Sequence, residues 1–461
     1  MSEIKRYHAI IIGSGQAGNP LMFDLANRGQ KVAMIEKNKL GGSCINFGCT
    51  PTKTLIASSN LYNRVKKSKE LGIVTEKVEL DFKKVMNRKN EIVESFRTSI
   101  EKRIEESENI KLYRGLASFI DKNTVKIKLV SGEEKLIKSD KIYINSGARP
   151  NVISIDGLHN IDYYNSTSIM EINNLPDHLV IIGTGYIALE FGQMFKRFGS
   201  KVTIIGRGDS ILKHEDKDIS TRIQKILEED GVEFLLNTDT KKVEKNEDNI
   251  TFLYIKKDGI EEKIEFSHLM FATGRTPNTE DLKLENTQVK LDDKGNIKVD
   301  DRLKTNEDNI FALGDVKGGA QFTHISYDDY RILIDNQFGE AKRHIKDRLI
   351  PYTLFTDPQL GRVGVTETEA KEKGYDFKVA KLEMKNLGRA IEEGMTKGFM
   401  KVVINKKNHK ILGASILGYQ GGEIMAMIQI AMMAEMDYEK LRDGIFTHPN
   451  LSEGLNNLFD I

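Results

Sequence analysis

Two segments of this chain run an apolar stretch into the same glycine spacing, and that repetition constrains the fold more than any other feature. Residues 9–12 lead into Gly13-Ser14-Gly15-Gln16-Ala17-Gly18, a helical stretch follows, and Val32-Ala33-Met34-Ile35 ends at Glu36. Residues 179–182 lead into Gly183-Thr184-Gly185-Tyr186-Ile187-Ala188, and Val202-Thr203-Ile204-Ile205 ends at Gly206. Each reads as strand, glycine turn, helix and second strand, the βαβ unit of a dinucleotide fold. A single such motif also fits an ordinary turn, whereas two in the same setting specify two nucleotide sites. The glycines let the backbone approach a pyrophosphate, the helix N-terminus supplies N–H donors, and an acid closing the second strand binds a ribose hydroxyl.

Glu36 is that acid at the first site. Gly206 follows Gly183 by the interval at which Glu36 follows Gly13, so the second site lacks it. Arg207 comes next and Lys213 lies a little further on. Cations there suit a 2′-phosphate, which a carboxylate would repel, so NADPH is the expected second nucleotide. NADH is the alternative, with Arg207 only a solvated loop cation.

A chain of 461 residues is too long for one core and implies two or three domains. Its 69 basic and 68 acidic side chains leave a formal charge of +1, which gives no electrostatic reason to expect nucleic acid or an anionic membrane. It has no apolar run of about 18 residues and no secretory h-region at its start, so it reads as soluble and cytoplasmic. Over 81–106, Val85, Ile92, Phe96, Ile100 and Ile104 recur near helical spacing. Tyr143-Ile144-Asn145-Ser146-Gly147 and Met270-Phe271-Ala272-Thr273-Gly274 read as strands at which the chain crosses between nucleotide domains. Residues 303–315, ending Ile310-Phe311-Ala312-Leu313-Gly314-Asp315, read as a returning strand that puts an acid near the first cofactor. From about Pro351 the pattern changes to strands with Gly-rich turns, then a Met-rich helix over 424–436, a third domain. Its Met425, Met427, Met432, Met433 and Met436 suit core or dimer packing better than a Cu(I) site.

The two cysteines of the chain lie in Gly41-Gly42-Ser43-Cys44-Ile45-Asn46-Phe47-Gly48-Cys49-Thr50-Pro51-Thr52-Lys53. Their separation is one helical turn plus a residue, close enough for a disulfide if the first turn is distorted. So few cysteines argue against a secreted disulfide framework. Zinc is a poor rival without a nearby His or second pair, and two buried structural thiols are the remaining reading.

With these motifs the sequence resembles the pyridine nucleotide-disulfide oxidoreductases, which include lipoamide dehydrogenase, glutathione reductase and mercuric reductase. The resemblance runs end to end, through Gly-Gly-Ser-Cys…Cys-Thr-Pro-Thr-Lys, Gly-Tyr-Ile-Ala-Leu-Glu, Ala-Thr-Gly-Arg-Thr-Pro-Asn, Phe-Ala-Leu-Gly-Asp and His-Pro-Asn-Leu-Ser-Glu. It implies an α/β fold of two Rossmann-like dinucleotide-binding domains, for FAD and NAD(P), plus a C-terminal α+β dimerisation domain. The boundaries are 1–155 for FAD, 156–284 for NAD(P)H, 285–347 for a central region completing the FAD site, and 348–461 for the interface domain. It further implies that Cys49 is the flavin-facing charge-transfer sulfur and Cys44 the interchange thiol that meets substrate. Lys53 would sit near flavin N5 and pair with Glu190, and Tyr186 would gate the nicotinamide pocket. Asp315 would bind the flavin ribityl chain or pyrophosphate region. The implied FAD set is Gly13, Ser14, Gly15, Gln16, Ala17, Gly18, Glu36, Lys37, Gly42, Ser43, Lys53, Gly115, Ser146, Gly147, Arg275, Asp315, Gln321, Phe322 and Thr323. The NADP set is Gly183, Gly185, Tyr186, Ile187, Arg207, Lys213 and Gly274, with no metal site. The family is homodimeric, the His448 region closing the active site of the other subunit.

A dithiol attacks only as thiolate, so it needs a base with a pKa near neutrality, and His448 is the candidate. Glu453 on its other nitrogen would fix the tautomer and stabilise the imidazolium.

Departures from family patterns narrow the acceptor. The C-terminal segment has no cysteine pair of the kind true mercuric reductases carry. Asn19-Pro20-Leu21-Met22-Phe23-Asp24 lacks the arginine that glutathione reductases present to their substrate. Lipoamide dehydrogenases share His448 and Glu453 but have an acid where Gly206 stands. Residues 315–331 and 445–459 look most like the mercuric reductase-like branch that includes reactive-chlorine-resistance flavoproteins and hypothiocyanous acid reductases, although those relatives usually keep the acid. The expected activity is reduction of a small cytoplasmic oxidant or disulfide, with hypothiocyanous acid as one candidate; dihydrolipoamide dehydrogenase and mercuric reductase-like metal reduction are the alternatives. A non-enzymatic nucleotide-binding scaffold would not require Cys44, Cys49, Lys53, Glu190, His448 and Glu453 together.

Overall fold

A computed structural model describes residues 4–340, 342–346 and 348–461. Both glycine repeats take the expected form. Strand Ala9–Ile12 is buried along its whole length and pairs in parallel with Val32–Glu36 on one side and Ile142–Ile144 on the other. A strand covered on both faces excludes polar alternation, which is why its sequence is a continuous apolar run. The sheet continues through Ile310–Ala312 at one edge. On the other side Ile110–Phe119 starts parallel to Val32–Glu36 and then pairs antiparallel with Thr124–Leu129. Helix Gly18–Asn27 buries Leu21, Met22 and Leu25 against this sheet.

The second repeat builds a parallel sheet in the order Glu233–Leu235, Lys201–Ile205, His178–Ile182, His268–Phe271, Tyr164–Asn165. Helix Tyr186–Phe198 packs on it. The C-terminal part is a five-stranded antiparallel sheet of Tyr352–Leu354, Gln359–Gly364, Ile411–Gly418, Phe399–Asn405 and Phe377–Glu383. The fold is therefore α/β, with two Rossmann-like domains and a C-terminal α+β domain.

Several elements differ from the expectation in extent. The helix expected over 81–106 runs Phe82–Glu105. The Met-rich helix runs Gly421–Met433 and ends ahead of Glu435, whose φ of 48° is left-handed. It buries Ile424, Met425 and Ile428 and leaves Met427, Ile430 and Met433 exposed. Of the strand expected over 303–315 only Ile310–Ala312 forms. The Asp300 carboxylate accepts from the Arg302 and Lys304 N–H groups at 2.8 and 2.9 Å, which folds that stretch into a turn.

By their internal contacts the described residues form two compact units. The first takes the chain through Thr54, with 84–151 and 274–348, and the second takes 55–83, 152–273 and 349–461. Segment 55–83 groups with the second Rossmann-like domain: the Ser59 hydroxyl donates to the Met194 carbonyl at 3.3 Å, Arg197 donates to Asn60 at 2.8 Å, and Phe82 lies edge-on to Phe198.

Within the second unit a buried cation joins the second nucleotide domain to the C-terminal sheet. Lys401, only 2% exposed, donates to Asp216 at 2.9 Å and pairs with Glu367 at 2.7 Å. Asp216 also accepts from the Thr368 N–H and hydroxyl. Burial opposes the Asp216 charge, but Lys401 and Thr368 win and hold the carboxyl at about 2. A carboxyl held below its unfolded value stabilises the fold above roughly pH 4, and that contribution is lost as pH falls towards the folded value. Lys401→Met is expected to destabilise the protein by about 3–5 kcal/mol. It should also flatten the acid limb of a plot of Tm against pH; an unchanged acid limb would show that Asp216 is not its source.

Candidate active site

The first glycine loop is closed to side chains by its own backbone. A Cβ on Gly13, whose φ is +100°, would lie 2.3 Å from the Asn145 carbonyl oxygen, and one on Gly18 would lie 2.2 Å from the Gly13 oxygen. Glu36 is buried at the end of its strand. Its Oε2 accepts from the Ser14 N–H at 2.8 Å and the Ser14 hydroxyl at 2.7 Å, and its Oε1 from the Asn38 N–H at 2.8 Å. The Ser14 oxygen in turn accepts from the Gly41 N–H at 3.1 Å, and Gln16 donates to the Gly41 carbonyl at 3.2 Å. A Cβ on Gly42 would lie 2.7 Å from Gly15 Cα. Acid, nucleotide loop and cysteine-bearing turn are thus one piece. Asn46 locks that turn from below, donating to the Leu40 and Gly42 carbonyls at 2.8 and 3.0 Å.

The cysteines do not share one distorted helix as their spacing suggested. Cys44 lies in the short helix Gly42–Asn46, the chain breaks at Phe47 and Gly48, and Cys49 starts the helix Cys49–Lys66. Gly48 permits the break: a Cβ there would lie 3.0 Å from the Ser43 oxygen. Of the two cysteines, Cys49 is the more exposed. The hydrogen bond that the Cys44 thiol donates to its neighbour Cys49, together with burial, pushes Cys44 well up, against the opposing effect of the Thr323 hydroxyl. Cys49 Sγ lies 3.1 Å from the Thr323 hydroxyl and at the positive end of an 18-residue helix, which favours negative charge on that sulfur. The pair is thereby polarised, with Cys49 the better seat for the thiolate and Cys44 its proton-bearing partner. Lys53 follows Cys49 by one turn on the same helix face.

Asp315 lies in the turn Gly314–Lys317, 3.5 Å from Arg275. Burial pushes its carboxyl up, against the opposing charges of Arg275 and Lys317. Arg275 donates to the Ala148 carbonyl at 2.6 Å, while its Nε is buried with no partner among the described residues. Asp329, wholly buried, holds this turn by accepting from the Gly314 N–H at 2.8 Å, Lys317 at 3.2 Å and Arg348 at 2.7 Å. Asn278 pins Ser146 and Gly147 through the Ser146 carbonyl and hydroxyl, both at 2.8 Å. Thr323 begins helix Thr323–Phe338, directly after Gln321 and Phe322. The close-approach glycines, a buried acid at the strand end and an orphaned guanidinium donor fit FAD: they match an adenine ribose and a pyrophosphate. Gly115 is explained by strand pairing, since a Cβ there would lie 2.4 Å from the Lys128 oxygen, and exposed Lys37 lies 3.9 Å from Asp281.

At the second repeat, Gly183 meets the Ala272 carbonyl as Gly13 meets Asn145, at 2.3 Å from a built Cβ. Gly185 opens onto empty space ahead of helix Tyr186–Phe198, whose first turn carries Tyr186 and Ile187. Arg207 and Lys213 are exposed. This donor arrangement fits a phosphate-bearing nucleotide. Buried Glu190 accepts from the Phe355 N–H at 2.9 Å. Gly274, expected with this set, belongs to the first unit.

Near the C-terminus, His448 Nδ1 and Glu453 Oε2 are 2.9 Å apart, with the imidazole exposed. Asn450 orients the acid by accepting from the Glu453 N–H at 2.9 Å. Asn46, Asn145, Asn278, Asp329 and Asn450 position these groups and escaped sequence reasoning.

Residues 7–329 match the pyridine nucleotide-disulphide oxidoreductase family, and 350–459 match the dimerisation domain of that family. The chain is 38% identical to an Escherichia coli protein described as "probable pyridine nucleotide-disulfide oxidoreductase RclA", over 99% of this chain and 100% of that one. It is 36% identical to a mercuric reductase of Staphylococcus aureus over 97% of this chain and 81% of that one. A dihydrolipoyl dehydrogenase of Geobacillus stearothermophilus is 34% identical, over 96% and 93%. The solved structure of the HOCl-induced flavoprotein disulfide reductase RclA from Escherichia coli, as its Cu(II) complex, superposes with a TM-score of 0.91 at 38% identity, covering 99% of each chain.

Thr323→Val removes the hydroxyl beside Cys49. Iodoacetamide modification of the reduced protein followed against pH should then show the first thiolate forming about 1–2 pH units higher. An unmoved midpoint would mean that the hydroxyl does not hold the charge.

Proposed function

The chain belongs to the pyridine nucleotide-disulphide oxidoreductases, enzymes that use a flavin and NAD(P)H, and on that premise we propose that it is a homodimeric, FAD-dependent NADPH oxidoreductase whose Cys44–Cys49 pair reduces a small oxidant or disulfide in the cytoplasm. Hypothiocyanous acid is the named candidate. The observation that carries this reading is the polarised dithiol, built on the turn that Glu36 and Ser14 tie to the first glycine loop. Bound FAD would take hydride from the nicotinamide and return electrons to the sulfur pair.

The chain's own residues then do the sulfur chemistry. His448 takes the Cys44 proton, and Glu453 stabilises the imidazolium. The Cys44 thiolate attacks the sulfur of hypothiocyanous acid and displaces hydroxide, which leaves as water with the proton from His448. The Cys49 thiolate attacks Cys44 Sγ, forms the internal disulfide and releases thiocyanate. Such an acceptor needs only an accessible thiolate and a proton donor. The exposed Met427, Ile430 and Met433 face and the dimerisation-domain match support a homodimer, in which the His448–Glu453 pair closes the site of the second copy.

The likeness to the HOCl-induced reductase RclA, 38% identical over 99% of this chain, supports this class of acceptor. Dihydrolipoamide dehydrogenase is the second reading, favoured by the His448–Glu453 pair and weakened by Gly206.

Anaerobic NADPH oxidation with hypothiocyanous acid, lipoamide, glutathione disulfide and mercuric ion in parallel tests the proposal. Hypothiocyanous acid is expected to turn over fastest and Cys44→Ser to abolish the reaction; fastest turnover with lipoamide would make the protein a lipoamide dehydrogenase. His448→Ala should leave flavin reduction by NADPH nearly intact and slow acceptor turnover, whereas equal loss of both steps would refute its assignment as base.

A further inference from the structure

The two nucleotide sites are internal repeats, so each serves as a template for the other. Thr184 and Gly206 stand where Ser14 and Glu36 stand, at the same separation. At the first site the hydroxyl and acid face each other and bond at 2.7 Å. At the second, a Cβ built on Gly206 would lie 2.4 Å from the γ-methyl of Thr184, a distance that real Cβ contacts do not reach. The next atoms are Leu236 Cδ2 at 3.3 Å, the end of a flexible side chain, and Thr184 Cβ at 3.6 Å, an ordinary contact. The obstruction is therefore one methyl group, the one by which threonine exceeds serine.

The backbone has little room to relieve it. The Gly206 N–H donates to the Leu235 carbonyl at 2.9 Å, and its own carbonyl accepts from the Thr238 N–H at 3.0 Å. The Thr184 carbonyl accepts from the Leu212 N–H at 3.1 Å, so the glycine loop holds the loop that follows Gly206. That loop is anchored at its far end as well: Glu215 bonds Tyr352 and, at 3.2 Å, Arg362, and Asp216 pairs with Lys401. Because threonine is β-branched, only a turn about its χ1 could move the methyl aside.

We propose that Thr184 is a specificity-determining residue of the second nucleotide site: its methyl bars any side chain at 206, so the ribose-binding acid is excluded and Arg207 is the first side chain the nucleotide's 2′ position meets. The proposal rests on the NADPH reading above. It predicts that specificity is encoded by the pair 184/206 and not by 206 alone.

The test is calorimetric binding of NADP⁺ and NAD⁺ to the purified wild type and to Gly206→Glu, Thr184→Ser and the double variant Thr184→Ser/Gly206→Glu. Wild type and Thr184→Ser are expected to bind NADP⁺ about tenfold tighter than NAD⁺. Gly206→Glu should lose NADP⁺ without gaining NAD⁺, and the double variant, rebuilding the Ser14–Glu36 pair, should reverse the preference. If Gly206→Glu alone binds NAD⁺ as tightly as the double variant, Thr184 plays no part and the inference falls. A wild type that prefers NAD⁺ would instead overturn the NADPH reading. Gly206→Ala and Thr184→Ser/Gly206→Ala isolate the steric contact without charge. The single variant should melt lower and the double variant should recover, and equal melting of the two would also overturn the inference.

Discussion

Glu36 places a carboxylate among the Ser14 N–H, the Ser14 hydroxyl and the Asn38 N–H at the end of a buried strand. A buried charge is tolerated only when hydrogen bonds satisfy it, so this cluster holds the strand end, the glycine loop and the following turn in one arrangement. Through the Ser14 oxygen the same cluster reaches Gly41, and Gly42 packs directly on Gly15. The helix bearing Cys44 begins at that contact. A redox pair must be held to within a fraction of an ångström of its electron donor, and here its position is inherited from the nucleotide loop itself.

The same repeat supports opposite electrostatics in its second copy. Serine with glutamate places an acid at the end of the first repeat, while threonine with glycine leaves the second without one and Arg207 and Lys213 at the surface. The change of sign needs no change of fold, because the two positions lie at the turn and the strand end, where side chains leave the sheet. The buried ion pairs of Glu215 and Asp216 then anchor the far end of the loop that follows Gly206. Near the first site Asp329 performs the corresponding service, holding the turn of Asp315 from within the core.

Much of the fold was legible because its signals are local. The apolar runs over 9–12, 32–35 and 179–182, the glycine spacing and the helical period over 81–106 all report elements whose residues are near neighbours in the chain. The His448–Glu453 pair was legible for the same reason, with its partners on one turn of chain. The break at Phe47 and Gly48 was not, since it depends on the close approach of Gly48 to the Ser43 carbonyl, which spacing alone does not reveal. The strand expected over 303–315 was overestimated because residues 304–309 are polar and turn back on Ile310, whose carbonyl accepts from the Thr305 N–H at 3.0 Å.

By itself, then, the sequence determined the two glycine repeats with the strands and helices they join, the cysteine pair and the missing second acid. Periodicity and turn chemistry act over a few residues and need no knowledge of the rest of the chain. Tertiary structure alone decided which unit segment 55–83 joins and which amides brace the site. It also decided that Thr323 meets Cys49 across 274 residues of sequence and that the Thr184 methyl lies 2.4 Å from where a Cβ on Gly206 would stand. Those outcomes depend on distances between residues far apart in the chain, and such distances exist only once the core has packed.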